Sequence, residues 1–310
     1  MLTSALRATL LNASRRSSVR RVVEHAPVSR SVVKRFVAGD SVADAVRTTK
    51  ALAAEGLSVS LDHLGEDTTE RAHAEATTAA YVEVLDRLAK ADLSRWAEVS
   101  VKLSAVGQAL DRSLAVDNAR EICDAASRAG TTVTLDMEDH TTTDSTLDVL
   151  RELRSDFPWV GAVLQSYLHR TEADCADLAY EGSRVRLCKG AYNEPESVAY
   201  QRREQVDESY LRCLETLLRG RGYPMIATHD PKLVDAALAL AGEGRRPPSS
   251  YELQMLYGVR PDEQRRLVGE GRTVRVYVPY GSEWYGYLMR RLAERPANVA
   301  FFLRAVATRG

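Results

Sequence analysis

Eight short apolar or β-branched runs recur along this chain, and a stretch with helical periodicity follows each of them. The runs are VSLDHL (59–64), VSVKLS (99–104), VTLDMEDH (133–140), AVLQSY (162–167), VRLCKGAY (185–192), MIATHD (225–230), YELQML (251–256) and VRVYVPYG (274–281). Strict alternation of strands and helices indicates parallel βαβ units, and eight such units close into a (β/α)8 barrel. We therefore predict an α/β fold with a TIM barrel over residues 51–310 and an N-terminal helical extension over residues 1–50.

In a (β/α)8 barrel, catalytic residues project from the carboxyl ends of the strands. The side chains that this chain places there are Asp62, Lys102, Asp136, Gln165, Arg186, Lys189, His229 and Tyr277. A ring of polar and charged side chains at this end of a barrel is typical of an active site. The sequence therefore predicts an enzyme.

The overall composition argues against several classes of protein. A formal net charge of −1 over 310 residues shows no bias toward nucleic acids. No run reaches the roughly 18 apolar residues that a membrane-spanning helix needs. The cysteines, Cys123, Cys175, Cys188 and Cys213, show neither CxxC pairs nor the spacing of zinc ligands. This usage favours a reducing compartment, with the cysteines as small buried apolar residues.

Residues 1–23 form a basic segment whose role the sequence leaves open. The segment is rich in arginine and serine and has no acidic residue before Glu24. This composition resembles a mitochondrial transit peptide. It also suits an amphipathic helix lying on an anionic membrane. The third interpretation is an ordinary helix packed against the barrel.

The last predicted helix lies in WYGYLMRRLAERPAN (284–298) and carries the sharpest local pattern. Its helical spacing brings four residues to one face: Tyr287, Arg290, Arg291 and Glu294. Adjacent arginines usually form a solvated basic face, but here the helix follows the eighth strand closely, so its first turns lie beside the strand ends. An arginine fork matches a carboxylate. With Tyr277 nearby, the pattern predicts a site for a small anion with an apolar body, such as an amino acid.

Lys102 and Asp136 are expected opposite this site, at the ends of the second and third strands. A lysine inside a barrel needs a carboxylate partner, because an unpaired buried charge is costly. We expect Asp136 or Glu138 to supply it. One interpretation is that Lys102 holds the substrate carboxylate while Asp136 orients the basic side chains. The alternative is a structural ion pair that merely closes the top of the barrel.

Strands four to six supply a different set of side chains: Gln165, Arg186, Lys189, Tyr192, Thr228 and His229. Cationic and amide donors without a compensating acidic cluster favour an electron-rich heterocycle or a phosphate-bearing cofactor. Donors directed at a flavin ring stabilise the charge that develops when the ring accepts a hydride. Since the chain contains no GxGxxG motif, a flavin would have to bind to the barrel itself.

Two rival functions remain open at this point. His63, His140 and His229, together with Asp62, Asp136 and Glu138, could ligate a metal in a barrel hydrolase or aldolase. The basic residues projecting into the same site oppose this interpretation, because they would repel a dication. The other rival is a non-catalytic binding protein that uses the basic segment and the arginine pair as a surface.

Taken together, the motifs resemble the proline dehydrogenase family in its short monofunctional bacterial form. They are VSVKLSA (99–105), TLDMED (134–139), LQSYL (164–168), RLCKGAY (186–192), ATHD (227–230), YELQMLYG (251–258) and VYVPYG…YLMRRLAERPAN (276–298). The resemblance covers about residues 57 to 303. It implies a distorted (β/α)8 barrel that binds FAD noncovalently and oxidises L-proline to Δ1-pyrroline-5-carboxylate.

The resemblance also implies roles for individual residues. Lys102, Asp136 and Arg186 would be the catalytic set, with Arg186 near the flavin N5. The substrate would be bound by Lys102, Leu187, Tyr277, Tyr287, Arg290 and Arg291. The cofactor would be held by Gln165, Arg186, Cys188, Lys189, Gly190, Tyr192, Arg202, Thr228, His229, Glu294, Asn298 and Phe301 or Phe302. Compared with the long bifunctional relatives, the chain has Asn193 in place of a common Trp, and Cys188 in place of a common Val.

The resemblance implies partners and a location as well. Electrons would pass to a membrane quinone, and a separate pyrroline-5-carboxylate dehydrogenase would complete the conversion to glutamate. We expect no nucleic-acid partner and no catalytic metal. We expect a cytoplasmic enzyme with peripheral contact to the inner membrane, the alternative being the mitochondrial matrix.

Overall fold

The structure, a computed structural model, describes residues 33–65 and 68–294, with residues 290–294 described by their backbone only. The interpretations given above for residues 1–23, Asn298, Phe301 and Phe302 lie outside these residues. So do the side chains of Arg290, Arg291 and Glu294.

The described part of the chain forms one sheet of eight parallel strands. The strands are β1 (Ser58–His63), β2 (Ala97–Val101), β3 (Val133–Leu135), β4 (Ala162–Gln165), β5 (Arg184–Cys188), β6 (Tyr223–Ala227), β7 (Glu252–Leu256) and β8 (Val274–Tyr280). Each predicted run overlaps one of them.

Helices alternate with the strands, as the sequence predicts. They are α1 (Val42–Ala54), α2 (Arg71–Lys90), α3 (Arg112–Ala129), α4 (Thr143–Arg154), α5 (Thr171–Leu178), α6 (Arg203–Arg219), α7 (Pro231–Glu243), α8 (Pro261–Gly269) and α9 (Trp284–Glu294). The domain boundary predicted between residues 50 and 51 falls inside α1. Since Ala45 of α1 belongs to the apolar core of the barrel, the division into extension and barrel stays a prediction.

The sheet curls until its two outer strands meet, so the predicted (β/α)8 barrel is confirmed. The strand order is β3-β2-β1-β8-β7-β6-β5-β4. Between β3 and β4 the amide of Leu135 donates to the carbonyl of Gly161 at 2.9 Å, and the Gly161 amide donates to Val133 at 2.8 Å. A Cβ on Gly161 would lie 2.7 Å from the hydroxyl of Thr134. The barrel therefore closes where a glycine lets the two backbones approach.

Side chains alternate along each strand between the helical layer and the interior of the barrel. In β2, Val99 and Val101 pack in the apolar core against the helices. The residues between and beyond them, Glu98, Ser100 and Lys102, are also buried, but they hydrogen-bond to side chains of other strands inside the barrel. The interior is thus largely polar, whereas branched apolar residues fill most barrels of this kind.

A second apolar cluster lies at the carboxyl ends of the strands. It joins Val33, Phe36 and Val37 to Leu64 and to Tyr285, Tyr287, Leu288 and Met289 of α9. The segment preceding α1 therefore packs on the helix that carries the predicted arginine pair.

Candidate active site

A cavity of about 900 Å³ opens at the carboxyl ends of the strands, within the size range of cofactor and ligand sites. Many of the predicted site residues line it: Lys102, Asp136, Gln165, Arg186, Cys188, Lys189, Gly190, Tyr192, Thr228, His229, Tyr277 and Tyr287. Residues far apart in the sequence thus come together in one place.

Two predicted site residues lie elsewhere. Leu187, expected to line the substrate pocket, is buried in the apolar core between sheet and helices, because its neighbours Arg186 and Cys188 are the residues of β5 that line the cavity. Arg202, expected to hold the cofactor, is the exposed N-cap of α6. The next residue, Arg203, lines the cavity instead. In both cases a residue one position away lines the cavity.

Lys102 is held by two carboxylates at the top of the barrel. Its Nζ donates to Asp62 Oδ1 at 2.8 Å and to Asp136 Oδ2 at 3.5 Å. Of the two expected partners, Asp136 is therefore present. Glu138 accepts from the Ser104 hydroxyl at 2.6 Å. Asp62, the nearer of the two carboxylates that hold Lys102, was expected from the sequence only as a strand-end residue and a candidate metal ligand.

Asp136 is the point at which the polar side chains converge. It accepts hydrogen bonds from Tyr277 Oη at 2.6 Å, from Ser100 Oγ at 2.7 Å and from Arg186 Nη1 at 2.7 Å. Burial alone would raise the pKa of Asp136, but the charges of Lys102 and Arg186 and these hydrogen bonds bring it below the usual value. Asp136 is therefore ionised, and it holds two cations and a phenol in place.

Tyr277 stands between Lys102 and Asp136. Burial, followed by the nearby charges of Asp136 and Asp62, raises the pKa of Tyr277 well above its usual value. The residue is thus a neutral phenol that donates to Asp136 and accepts from Lys102 Nζ at 3.3 Å. Its ring covers one face of Arg186, with the guanidinium carbon 5.3 Å from the ring centroid.

Strands β5 and β6 end in a second charged cluster, which contradicts one prediction. The donors were expected to lack acidic partners, but Lys189 Nζ lies 2.5 Å from Asp207 and 3.2 Å from Asp230. Arg203 also contacts Asp230, at 3.2 Å. The pattern of strand ends does not reveal Asp207, because this residue lies on α6. Asp230 is the N-cap of α7 as well, accepting from the Lys232 amide at 3.2 Å.

The remaining predicted donors are oriented by backbone contacts. Gln165 Nε2 donates to the carbonyl of Glu138 at 2.7 Å. His229 Nε2 accepts from the Leu256 amide at 2.9 Å. Since one ring nitrogen of His229 is thereby an acceptor, the imidazole is kept in one orientation at the cavity wall.

The histidines proposed as metal ligands each have separate protein partners. His63 packs edge-on against Tyr280, with ring centroids 5.1 Å apart, and burial and the charge of Lys102 lower its pKa. His140 pairs with Glu194. In the described part of the chain, no three His, Cys, Asp or Glu side chains come together as a metal site.

Gly190 brings the loop after β5 close to the aromatic ring of Tyr167. Its φ of +111° is one that residues with a side chain rarely adopt. A Cβ here would overlap the Tyr167 ring. Tyr167 in turn donates from Oη to Glu194 at 3.1 Å, so this contact ties two parts of the cavity wall together.

We expect Gly190→Ala to reduce cofactor retention and to destabilise the fold by about 1–3 kcal/mol through backbone strain and overlap. The matched control is Gly182→Ala, since Gly182 has a φ of +81° and nothing within 4 Å of an added Cβ. The measurement is the cofactor-to-protein ratio after gel filtration, together with urea denaturation. Equal cofactor retention in the two variants would show that the Tyr167 contact does not shape the cavity.

The family model and the curated proteins that match this chain point to the same family. The family model described as proline dehydrogenase matches residues 45–304. Proline dehydrogenase 2 of Bacillus subtilis (strain 168) is 39% identical over 278 residues, which cover 90% of this chain and 91% of that protein. Proline dehydrogenase of Deinococcus radiodurans is 39% identical over 281 residues, with 89% and 90% covered.

A solved structure shows the same architecture. It is proline utilization A (PutA) from Bdellovibrio bacteriovorus inactivated by N-propargylglycine, with a TM-score of 0.78 and 26% sequence identity. The match covers 84% of this chain and 32% of that one, so this chain spans about a third of the longer protein.

Proposed function

The chain belongs to the proline dehydrogenase family, and on that premise we propose that it oxidises L-proline to Δ1-pyrroline-5-carboxylate with FAD bound in the barrel cavity. The observation that carries the proposal is the convergence of Lys102, Asp136, Arg186 and Tyr277 at the floor of that cavity. This arrangement offers fixed cations and an aromatic ring to a small amino acid. It also leaves the greater part of a large cavity to a cofactor.

The chemistry of the lining residues fits a flavin nucleotide. Apolar side chains, among them Val163, Cys188 and Ala227, line the cavity and suit a flat heterocycle. Gln165 and Arg186 supply amide and cationic groups, while Lys189 and Thr228 would reach the ribityl and phosphate groups. When bound, FAD supplies the acceptor for the hydride that leaves proline.

The protein's own part in the reaction is to bind and orient the substrate. We propose that Lys102, Arg290 and Arg291 hold the proline carboxylate, while Tyr277 and Tyr287 pack on the ring. Both tyrosines line the cavity, and Tyr287 lies on α9, one turn before the arginines. Fixing the carboxylate determines which ring carbon faces the cofactor. Positioning of this kind contributes on the order of 7–11 kcal/mol to lowering a barrier.

The direct test is a visible absorption spectrum of the purified protein, recorded without oxygen before and after adding L-proline. We expect flavin bands that bleach with L-proline and remain unchanged with D-alanine. Flavin bands that do not change when L-proline is added would support a flavoprotein but reject L-proline as its substrate. A protein that contains no flavin and takes up no added FAD would reject the proposal.

Arg291→Met should raise the KM for L-proline by about tenfold or more, because a charged hydrogen bond to the carboxylate contributes about 1.5–3 kcal/mol. FAD content should not change. Steady-state kinetics and the flavin-to-protein ratio measure the two quantities. The control is Arg266→Met, since Arg266 on α8 pairs with Glu263 and Glu270 at the surface. Wild-type kinetics in Arg291→Met would reject the proposal that Arg291 binds the proline carboxylate.

We further propose a membrane quinone as electron acceptor and a separate pyrroline-5-carboxylate dehydrogenase as the enzyme that uses the product. Contact with the membrane would be peripheral. None of the helices in the described part of the chain combines the length and the apolar character needed to cross a bilayer.

A further inference from the structure

Arg186 is anchored more completely than its predicted contact with the cofactor requires. A guanidinium has five N–H donors, and acceptors from four other strands or strand ends surround this one. Its acceptors are Gln254 Oε1 at 2.6 Å, Asp136 Oδ1 at 2.7 Å, Ser100 Oγ at 2.8 Å, Ser60 Oγ at 3.0 Å and Glu98 Oε1 at 3.4 Å. The cation therefore meets any ligand in the cavity with its plane already fixed.

Gln254 is the acceptor that binds Arg186 at Nε. It takes the bond from Nε, the nitrogen next to the aliphatic stem, so it sets the direction in which the guanidinium leaves the side chain. The amide of Gln254 is itself fixed, because its Nε2 donates to Glu252 Oε1 at 2.5 Å. Glu252 is fixed in turn by Arg275 at 2.7 Å and Tyr223 at 3.2 Å.

Glu98 fixes the other side of the same interior network. Its carboxylate lies 2.6 Å from Arg184 and 3.8 Å from Arg275, the arginine that also binds Glu252. Burial opposes the charge of Glu98, but Arg275, Arg184 and Arg186 bring its pKa to about 2. It is therefore an anion whose contacts close a ring that runs from Arg186 through Gln254, Glu252 and Arg275.

We propose that Gln254 is a positioning residue for the reaction, fixing the Arg186 guanidinium in the orientation in which it acts on the bound flavin. This inference rests on the function proposed above. The physical basis is preorganisation: a cation held in place before the reaction stabilises developing charge without reorganising. Side chains that support a catalytic group from behind determine how accurately it is placed.

The test compares two equally buried glutamines, of which Gln254 binds Arg186 and Gln264 binds only backbone carbonyls. Gln254 and Gln264 are each 3% exposed, and the Gln264 amide binds the backbone carbonyls of Leu256 and Val259. Each is replaced by methionine, which keeps the length and removes the polar atoms. The measurements on the FAD-loaded proteins are the midpoint potential of the flavin, its visible spectrum, and kcat and KM for L-proline.

We expect Gln254→Met to lower the midpoint potential, because the cation is less well placed near the flavin. It should also lower kcat by about 10²-fold, the cost of a misplaced group, with little change in KM. Gln264→Met should lose stability and keep the wild-type potential and kcat. If the two variants had the same midpoint potential and the same kcat, the positioning role of Gln254 would be rejected.

Should Gln254→Met fail to fold, Gln254→Asn takes its place, since the shorter side chain keeps an amide in the barrel but withdraws the oxygen that accepts from Arg186 Nε. A smaller shift of the potential in the same direction supports the proposal, and an unchanged potential rejects it. A wild-type protein without flavin, or with flavin that proline does not bleach, would instead reject the proposed function. The two failures are therefore distinguishable.

Discussion

Replacing Asp136 by asparagine should lower kcat/KM for L-proline by at least about two orders of magnitude and destabilise the fold by about 3–5 kcal/mol. The reason is that Asp136 holds Lys102, Arg186 and Tyr277 at once, and removing its charge takes one buried counterion from each of the two cations. Asparagine keeps the shape, so the effect reports the charge. Steady-state kinetics and urea denaturation measure the two quantities.

Asp174→Asn provides the matched control. Asp174 and Asp136 are both 8% exposed, and Asp174 also pairs with an arginine, Arg170, at 2.8 Å. That pair lies on α5, away from the cavity. We expect Asp174→Asn to be less stable than the wild type but equally active per folded molecule. If Asp136→Asn also lost stability but kept wild-type activity per folded molecule, the role of Asp136 would be structural only.

The order of the elements could be predicted from the sequence because it depends on local patterns. The strand that contains Val59 and Leu61, for example, alternates apolar residues with Ser60 and Asp62, and a helix-period stretch follows it. The same reasoning placed Lys102, Asp136 and Tyr277 at strand ends, where the structure brings them together. These features need only the period of a strand and the geometry of a barrel.

The partners of the charged side chains could not be predicted in the same way. They depend on the stagger between strands, which a barrel sets as a whole. Asp62 reaches Lys102 because β1 pairs with β2 in a register that sets Asp62 beside Ser100. The register also decides that Glu98 meets Arg184 and Arg275 deep inside the barrel. In the sequence, these residues look like ordinary charges at the beginning of strands.

Leu187 and Arg202, which lie outside the cavity lining, show how precisely a strand face or a helix start must be known to predict a site residue. A shift of one position moves a strand side chain from one face of the sheet to the other, which is why Leu187 faces the helices while Arg186 lines the cavity. For Arg202 the deciding feature is the first residue of α6, which the sequence pattern does not fix. Helix α6 begins at Arg203, and that residue is the one at the cavity wall.

Lys102→Met should raise the KM for L-proline by about tenfold or more and destabilise the fold by about 3–5 kcal/mol. The first effect follows from losing a cation that binds the substrate carboxylate. The second follows from leaving Asp62, which is 1% exposed, without the ammonium 2.8 Å away. The single variant alone therefore does not show whether Lys102 binds the substrate carboxylate or only forms a structural ion pair.

The double variant Lys102→Met/Asp62→Asn separates them. Removing the charge of Asp62 as well should restore most of the lost stability, since replacing both partners of a buried pair by neutral groups is often nearly neutral. The carboxylate of proline would still lack its cation, so we expect the KM to stay high while urea denaturation returns toward the wild type. A double variant that regains both stability and the wild-type KM would identify the Lys102–Asp62 pair as structural. The carboxylate would then be bound by the arginines of α9 alone, and Arg291→Met would have to account for the whole loss of substrate affinity.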